Sequence, residues 1–416
     1  MKNLFNNICF LLIAYSGIAQ ALETTPPDYI RTVQFQGNSQ FSGTPIIALG
    51  ETLSISFDDL IGDEADYYYT IEHYDFNWQP SNLAKNEYME GFDNMRILNY
   101  QNSFNTLQIY SHYTLNIPNR NTRRLKVSGN YMLKIFNDDK ELVFSRKFMV
   151  YEDIALVKAE IKRSRNLKFI DTKQVVYFSV DGSDQIIFRN PDQNLKTLII
   201  QNNNLQTSIY NLKPQYSLGN ELVYRYDQEA AFWGGNEYLE FDNKDVRAAT
   251  MNIRSIELKD IYNTYLFTNK NRSYDPYTYD PDINGQFRVN TIQGEDPTIE
   301  AEYTWVHFSL ANYEKLKGGE IHIYGNFNNF NLDESTKLTY NSKRDVFEGK
   351  RLFKQGFYNY KYVLLMPNGS IDEGFNSGNF DETENQYTIL AYYREVGGRY
   401  DRIVGVGSAN SRNISN

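Results

Sequence analysis

The sequence predicts an all-β protein built of three consecutive β-sandwich domains of the immunoglobulin-like type. Over many short stretches apolar residues alternate with polar ones, and a period of two is typical of a strand with one buried face. Clusters of Asp, Asn, Gly and Pro separate these stretches at regular spacing, as turns do in sandwiches. Long amphipathic helical patterns are nearly absent from the 416 residues.

The N-terminal stretch 1–21 has the pattern of a cleaved secretory signal peptide. Lys2 supplies a positive charge, the apolar run 8–14 is too short to span a bilayer, and the small residues at 19–21 resemble a cleavage site. Cys9, the one cysteine, lies inside this stretch. We therefore expect a periplasmic protein with no thiol and no direct lipid anchor.

The first domain is predicted over residues 22–152 and the middle domain over residues 153–290. In the first, ETLSISFDD alternates strictly, and SGNYMLKIFNDDKELVFSRKFMVY is typical of a hairpin around the turn 137–140. The stretches QVVYFSV, IIFR, LKTLII and LVYRY repeat the pattern in the middle domain. A polar, turn-rich stretch at 265–290 marks the predicted end of this domain.

The third domain, predicted over residues 291–395, resembles an early-set immunoglobulin-like sandwich of the type that includes the glycogen-binding modules. The resemblance rests on the strand that leads into GNFNNF (325–330), on the turn at 340–341 and on GFYNYKY (356–362). The Gly- and Asn-containing stretch 396–416 follows, and we expect it to be a flexible polar tail.

The charge of the chain argues against two classes of partner. Removing Lys2 with the signal lowers the 42 Lys and Arg to 41, which against 52 Asp and Glu gives a formal net charge of −11. Nucleic-acid binding without sequence preference needs a basic surface, and so does adsorption to an anionic membrane. We therefore expect neither nucleic acid nor lipid as a direct partner.

The sequence contains no motif for catalysis or metal binding. It lacks a nucleophile elbow, a paired-histidine zinc motif and a phosphate-binding loop, and its four histidines lie in separate strand-like runs. The loop Asp280–Gly285 offers oxygen ligands at calcium-loop spacing, but Thr291 stands where a bidentate glutamate is required. We predict a plain turn there, and no catalytic residue, metal or cofactor.

A periplasmic carbohydrate-binding or glycan-processing protein is the alternative from a different class. The resemblance of the third domain motivates it, because those modules stack sugars on tryptophan rings. Here Phe330 follows Asn328-Asn329, and Trp305 lies upstream in a predicted core strand. Acids such as Glu72 and Asp75 could form a glycosidase pair only at a separation that the sequence does not fix.

The run YYYTIEHYDFNW, residues 67–78, is the leading candidate for a contact with a partner protein. Tyrosine combines a large apolar area with a polar tip and is enriched at interfaces, and the chain has 34 Tyr and 26 Phe against 3 Trp. Amphipathic aromatic residues occupy both faces of the run if it is a strand: Tyr68, Tyr74 and Trp78 on one face, Tyr67, Tyr69 and His73 on the other. The other interpretation is that these rings fill a core. The next candidates are Phe327 and Phe330.

Five separated stretches resemble the plug protein family of the Bacteroidota type IX secretion system: EHYDFNWQPSNL, NEYMEGF, NSFNTLQIYSHYTLNIPN, SGNYMLKIF and GGNEYLEFDNKDVR. They occur in the family's order over essentially the whole exported chain. The resemblance implies a periplasmic, non-enzymatic protein that binds the outer-membrane translocon barrel of this system. Such a protein closes the periplasmic opening of the barrel when no substrate-delivery partner is bound, and we expect a monomer. The resemblance implies no contact residues, so the candidates above rest on composition.

Overall fold

The computed structural model describes residues 21–36, 45–183, 185–312, 318–412 and 414. These residues fold almost entirely into strands, which build three β-sandwich domains, and this confirms the predicted all-β class. Residues 1–20 of the predicted signal, with Cys9, lie outside the described residues. Within the described ranges, no helix is both long enough and apolar enough to cross a bilayer.

The first domain pairs a four-stranded sheet, in the order β1-β3-β8-β7, with a five-stranded sheet, in the order β2-β11-β10-β4-β6. Its elements are β1 (Ile30–Gln36), β2 (Ile46–Ala48), β3 (Leu53–Asp59), β4 (Tyr68–Tyr74), α1 (Lys85–Tyr88), β5 (Met89–Gly91), β6 (Met95–Arg96), β7 (Tyr100–Asn102), β8 (Ser111–Ile117), β9 (Thr122–Leu125), β10 (Gly129–Phe136) and β11 (Leu142–Tyr151). The predicted hairpin around 137–140 is confirmed as β10 and β11. Alternating apolar residues meet between the sheets, where the rings of Phe57 and Phe144 lie 5.2 Å apart.

The second domain begins with one sheet and half of another. Its first elements are β12 (Leu156–Arg163), β13 (Lys173–Asp181), α2 (Pro191–Asn194), β14 (Leu195–Gln201), β15 (Asn204–Tyr210), β16 (Tyr216–Leu218), β17 (Glu221–Tyr224) and β18 (Ala231–Trp233). One sheet has the order β12-β13-β17-β16, and β18 also pairs with β13. The hairpin of β14 and β15 belongs to the opposing sheet, which needs strands from much later in the chain.

The third domain is inserted at this point. Its elements are β19 (Leu239–Asp242), β20 (Ile253–Leu258), β21 (Tyr262–Leu266), β22 (Phe287–Val289), α3 (Pro297–Glu300), β23 (Tyr303–Ala311), β24 (Glu320–Tyr324), a 3-10 helix (Asn326–Asn328), β25 (Thr339–Asn341), β26 (Val346–Lys354), β27 (Gly356–Leu365) and β28 (Ile371–Asp372). One sheet has the order β20-β21-β23-β26-β25, and in the other β27 pairs with β19, β22, β24 and β28. The rings of Phe308 and Tyr360 meet between them at 5.0 Å.

The last two strands, β29 (Gln386–Tyr393) and β30 (Arg402–Asn410), return to the second domain. They complete its second sheet in the order β15-β14-β29-β30. The predicted boundaries at 290 and 395 are therefore wrong, because the third sandwich runs from β19 to β28 and interrupts the second. The predicted flexible tail 396–416 is wrong over β30.

The glycines of the supposed tail have a packing role. A β-carbon on Gly405 would lie 2.4 Å from the carbonyl oxygen of Ala155, and one on Gly407 would lie 2.5 Å from that of Val157. Since only glycine permits this approach, β30 can lie against β12 and close one edge of the sandwich. The N–H of Ala155 donates to the carbonyl of Val404 at 2.9 Å across this edge.

Candidate partner-binding surface

One face of the predicted aromatic run is part of the first domain's core. Tyr67, Tyr69 and His73 point between the two sheets and are buried. The hydroxyl of Tyr67 donates to the carboxylate of Asp59 at 2.8 Å. Burial lowers the pKa of His73, so its ring is neutral at neutral pH and serves as a packed, hydrogen-bonded group.

The other face of the aromatic run 67–78 is also buried, except at Tyr68. The strand β4 ends at Tyr74, and the chain then turns so that Trp78, at a φ of 56°, folds back beside Tyr74. The ammonium of Lys147 lies 4.4 Å from the centre of the Trp78 ring. Tyr74 and Trp78 are both buried, whereas Tyr68 is half-buried.

The two candidates of the third domain are core residues as well. Phe327 packs on Phe353, with 5.0 Å between ring centres, and Phe330 packs on Tyr324 at 5.1 Å. Seven of the eight candidate side chains are therefore buried, which favours the interpretation that these rings fill a core. Partner contact by Tyr68 remains a prediction.

The turn after β4 instead joins the first domain to the second. The ring of Phe76 lies 4.8 Å from that of Tyr392, in an apolar cluster shared by the two domains. The N–H of Phe76 donates to the carboxylate of Asp401 in the second domain at 3.0 Å. The same carboxylate accepts from Arg394 at 2.9 Å and from Lys196 at 3.0 Å. Burial opposes the charge of Asp401, but these donors outweigh it and hold its pKa below 3.8.

A second buried network joins the first domain to the third. Asp58 on β3 is fully buried, and its carboxylate lies 2.7 Å from the ammonium of Lys354, which is 1% exposed. Tyr303 donates to the same carboxylate at 2.6 Å, and the Nδ1 atom of His112 lies 2.5 Å from its other oxygen. Because removing either member of such a pair leaves the other charge buried, this interface depends on both side chains.

Six of the large apolar residues that are exposed in the described chain lie within one short stretch of the first domain. We call residues 92–109 the edge segment; it contains β6 and β7, which are edge strands of the two opposing sheets. Phe92 is 74% exposed and Phe104 is 65% exposed. The further exposed apolar residues of the segment are Met95, Leu98, Leu107 and Ile109. A concentration of exposed apolar side chains on one edge is typical of a protein interaction site.

The edge segment is held in place by the third domain. The N–H of Phe104 donates to the carbonyl of Ile299 at 2.9 Å, and the N–H of Leu107 lies 3.0 Å from each carboxylate oxygen of Glu302. At the other end, β6 pairs with β4, where Arg96 lies opposite Tyr68. The one partly exposed candidate of the original run therefore borders this segment.

Sequence reasoning missed the edge segment because its apolar residues follow no strand period. The stretch NSFNTLQIYSHYTLNIPN contains Phe104, Leu107 and Ile109, and it was singled out only for its family resemblance. The sequence did contain an indication of this surface. Large apolar residues in a polar stretch without alternation are not assigned to any predicted core, so they are candidates for exposure.

The acidic loop at 280–285 is a turn in which the carboxylate of Asp282 accepts backbone N–H groups from the loop and from a neighbouring segment. The carboxylate of Asp282 accepts from the N–H of Tyr238 at 2.5 Å and from that of Asn284 at 2.7 Å. In the described part of the chain, no three His, Cys, Asp or Glu side chains are arranged to hold a metal ion. Nearby, burial raises the pKa of Glu237 to about 7, while the Tyr277 hydroxyl donates to it at 2.5 Å.

Comparison with known proteins decides the family. Residues 30–152 match the family model described as "Type 9 secretion system plug protein 1st domain". The chain belongs to the type IX secretion system plug family. Members of this family are components of a secretion system, and the protein therefore has a role related to type IX secretion. The family is not a known enzyme family.

A crystal structure extends the likeness over the whole fold. It is described as that of a hypothetical protein from Parabacteroides merdae and is 31% identical, with a TM-score of 0.89 over 94% of this chain and 100% of that chain. Three N-terminal domains of the outer capsid protein Hoc of bacteriophage RB49 match at 11% identity. This match covers 93% of this chain and 100% of that one, with a TM-score of 0.14. No curated protein matches the chain.

Proposed function

We propose that this protein is a non-enzymatic, monomeric periplasmic plug. It binds the outer-membrane translocon barrel of the type IX secretion system and closes the periplasmic opening when no substrate-delivery partner is bound. The observation that carries the proposal is the plug-family match over residues 30–152, in the domain that also holds the edge segment. No cofactor takes part.

The joined domains suit a protein that must block a wide opening. Separate domains on flexible linkers would leave gaps, whereas here the first domain is joined to the second through Asp401 and to the third through Asp58. Both contacts are buried and charged, and such contacts fix one arrangement of the partners. We infer that the three sandwiches cover the opening as one unit.

The edge segment is the proposed contact with the barrel. A plug must be released, so a contact of moderate size with a few apolar anchors suits it better than a large apolar interface. Phe104 and Leu107 fit the role of anchors because they are exposed and their backbone is fixed by hydrogen bonds. A segment whose backbone is already fixed loses little backbone freedom on binding.

The carbohydrate-binding alternative has no support in the third domain. Phe330, at the position where the look-alike modules carry a sugar-stacking ring, is buried against Tyr324. Trp305 is half-buried, with the ammonium of Lys350 at 4.5 Å from the centre of its ring.

A permeability experiment tests the plug role. Deleting the gene should make the outer membrane permeable to large antibiotics, because an open barrel conducts whatever fits through it. Deleting the translocon barrel as well should restore the barrier. An outer membrane that stays tight in the single deletion, or stays leaky in the double deletion, would contradict the proposal.

A co-purification experiment tests the contact. We expect Phe104→Asp and Leu107→Asp to weaken barrel capture about 30-fold, because a hot-spot anchor contributes about 2 kcal/mol. Leu218→Asp is the matched control, since Leu218 is a comparably exposed leucine of the second domain. Wild-type capture by both edge-segment variants would exclude this surface while leaving the plug role open.

A further inference from the structure

Three arginines from two domains converge on a cavity of about 290 Å³. Arg31 lies on β1 and Arg146 on β11 of the first domain, and Arg351 lies on β26 of the third. Guanidinium groups seldom line the same cavity without an anion, because like charges repel and each is costly to desolvate. An arginine that lines this cavity without an acidic partner from the protein would therefore indicate a binding site for an external anion.

Arg31 and Arg351 have partners within the protein. The guanidinium of Arg31 pairs with Asp28 at 2.8 Å. Arg351 is buried, lies 3.8 Å from Asp333 and donates to the hydroxyl of Ser335. Burial and the nearby charge of Arg31 lower the pKa of Arg351 to about 10.

Arg146 has no such partner. It is 5% exposed, and among the described residues its only side-chain hydrogen bond goes from Nη1 to the carbonyl of Ser145 at 2.9 Å. Glu23 is the acid that acts on Arg146 from a distance, but its two oxygens accept from the N–H of Lys147 and the amide of Asn329. Among the described residues, Arg146 is thus a buried guanidinium that lines the cavity with no carboxylate within ion-pair distance.

We propose that this cavity binds a carboxylate group, with Arg146 as its main partner and Arg31 and Arg351 beside it. A buried guanidinium with no carboxylate in contact matches a monoanion, because its planar fork fits a carboxylate through two parallel hydrogen bonds. The carboxylates of Asp28, Asp333 and Glu334 line the same cavity and would repel a phosphate dianion more strongly than a monoanion. This site is separate from the edge segment and does not depend on the plug role.

Calorimetric titration of the purified protein in chloride buffer tests the site. The probes are acetate, inorganic phosphate, the capped peptide acetyl-Gly-Asp-Gly-amide and its Asn counterpart. Binding of acetate and the Asp peptide would show that any accessible carboxylate is accepted, and binding of the Asp peptide alone would assign the site to acidic peptide segments. Both results support the assignment. Preference for phosphate, equal binding of the Asn peptide, or no binding at all would overturn it.

Arg146→Met identifies the residue that carries the binding. We expect about tenfold weaker binding of the Asp peptide, since a charge-assisted hydrogen bond is lost. Without ligand, this variant should melt at the wild-type temperature or above, because the substitution removes an unpaired buried charge. A lower melting temperature with unchanged peptide affinity would mean that Arg146 is only structural.

Two further variants keep the test decisive. Arg31→Met should also weaken peptide binding, and it provides the same readout if Arg146→Met does not fold. Arg120→Met is the control, because Arg120 is an exposed arginine of the same domain and does not line the cavity. Equal loss of affinity in the control would overturn the assignment.

Discussion

Replacing Lys354 by methionine should separate the first domain from the third. The ammonium of Lys354 lies 2.7 Å from Asp58, donates to the carbonyl of Thr298 at 2.6 Å and sits 4.1 Å from the centre of the Tyr110 ring. Methionine has a similar length and fills the space, so the loss is electrostatic and leaves Asp58 buried without its cation. Removing one member of a buried pair costs about 3–5 kcal/mol.

The structure places the expected loss at the lower end of this range. Asp58 keeps two partners in the variant, because Tyr303 still donates to it and His112 remains at its other oxygen. We therefore expect Lys354→Met to lower the free energy of unfolding by about 3 kcal/mol. Adding Asp58→Asn should recover at least half of this loss, since the double variant no longer buries a lone charge.

Acid should remove the difference between wild type and variant. Burial opposes the charge of Asp58, but Lys354 and His112 outweigh it, so the native-state pKa lies below the ordinary 3.8. A carboxyl with a depressed pKa stabilises the fold above about pH 4, and this contribution is lost as the pH falls through the native-state value. The two proteins should therefore converge in stability as the pH falls through the native-state pKa of Asp58.

Calorimetry and urea unfolding at pH 7 are the assays. In the wild type we expect the first and third domains to unfold in one transition, and in Lys354→Met we expect two. Lys350→Met is the matched control, because Lys350 lies on the same strand β26 but is exposed, and it should cost less than about 1 kcal/mol. A loss no larger than that of the control, with a single transition retained, would refute the role assigned to this pair.

Four further outcomes are expected. Trp78→Ala should destabilise the first domain by about 3–5 kcal/mol in urea unfolding, because the ring is buried; a folded, fully stable variant would show that the turn is loosely packed. Glu237→Gln should stabilise the protein by about 2 kcal/mol at pH 8 and not at pH 4. The reason is that the pKa of the Glu237 carboxyl is raised to about 7, so the protonated form supports the fold and this contribution is lost as the pH rises through 7. Equal curves of stability against pH for the two proteins would contradict this. Truncation before Val396 should leave the second domain unfolded by circular dichroism, since it removes β30; a native spectrum would mean that β30 is dispensable. Millimolar calcium should leave the melting temperature unchanged, because the carboxylate of Asp282 is already used by two backbone N–H groups; a rise of several degrees that Asp282→Ala abolishes would show a calcium site.

The sequence by itself determined the class of fold and the local pairing. Alternation of apolar and polar residues fixes which side chains of a strand share a face, and a short turn sequence fixes which neighbouring strands form a hairpin. The hairpin of β10 and β11 was predictable for this reason. The family was also accessible, because four of the five stretches that resemble it lie within the matched residues 30–152.

Pairing between distant strands was decided only by the tertiary structure. The strand β14 pairs with β29, with Ile199 opposite Ile389, although a complete domain lies between them in the chain. Each strand carries an apolar face that fits many partners, so the pattern of one strand does not specify which distant strand completes its sheet. The domain boundaries and the fate of the 396–416 stretch depended on this pairing.

The position of the partner-binding surface was likewise decided by tertiary contacts. An aromatic residue such as Trp78 or Phe76 looks the same in sequence whether it packs on its own domain, on a neighbouring domain or on another protein. Here the folded chain covers both, while Phe104 is left exposed on an edge held by the third domain. Burial depends on what surrounds a side chain in space, and a sequence pattern records only its neighbours along the chain.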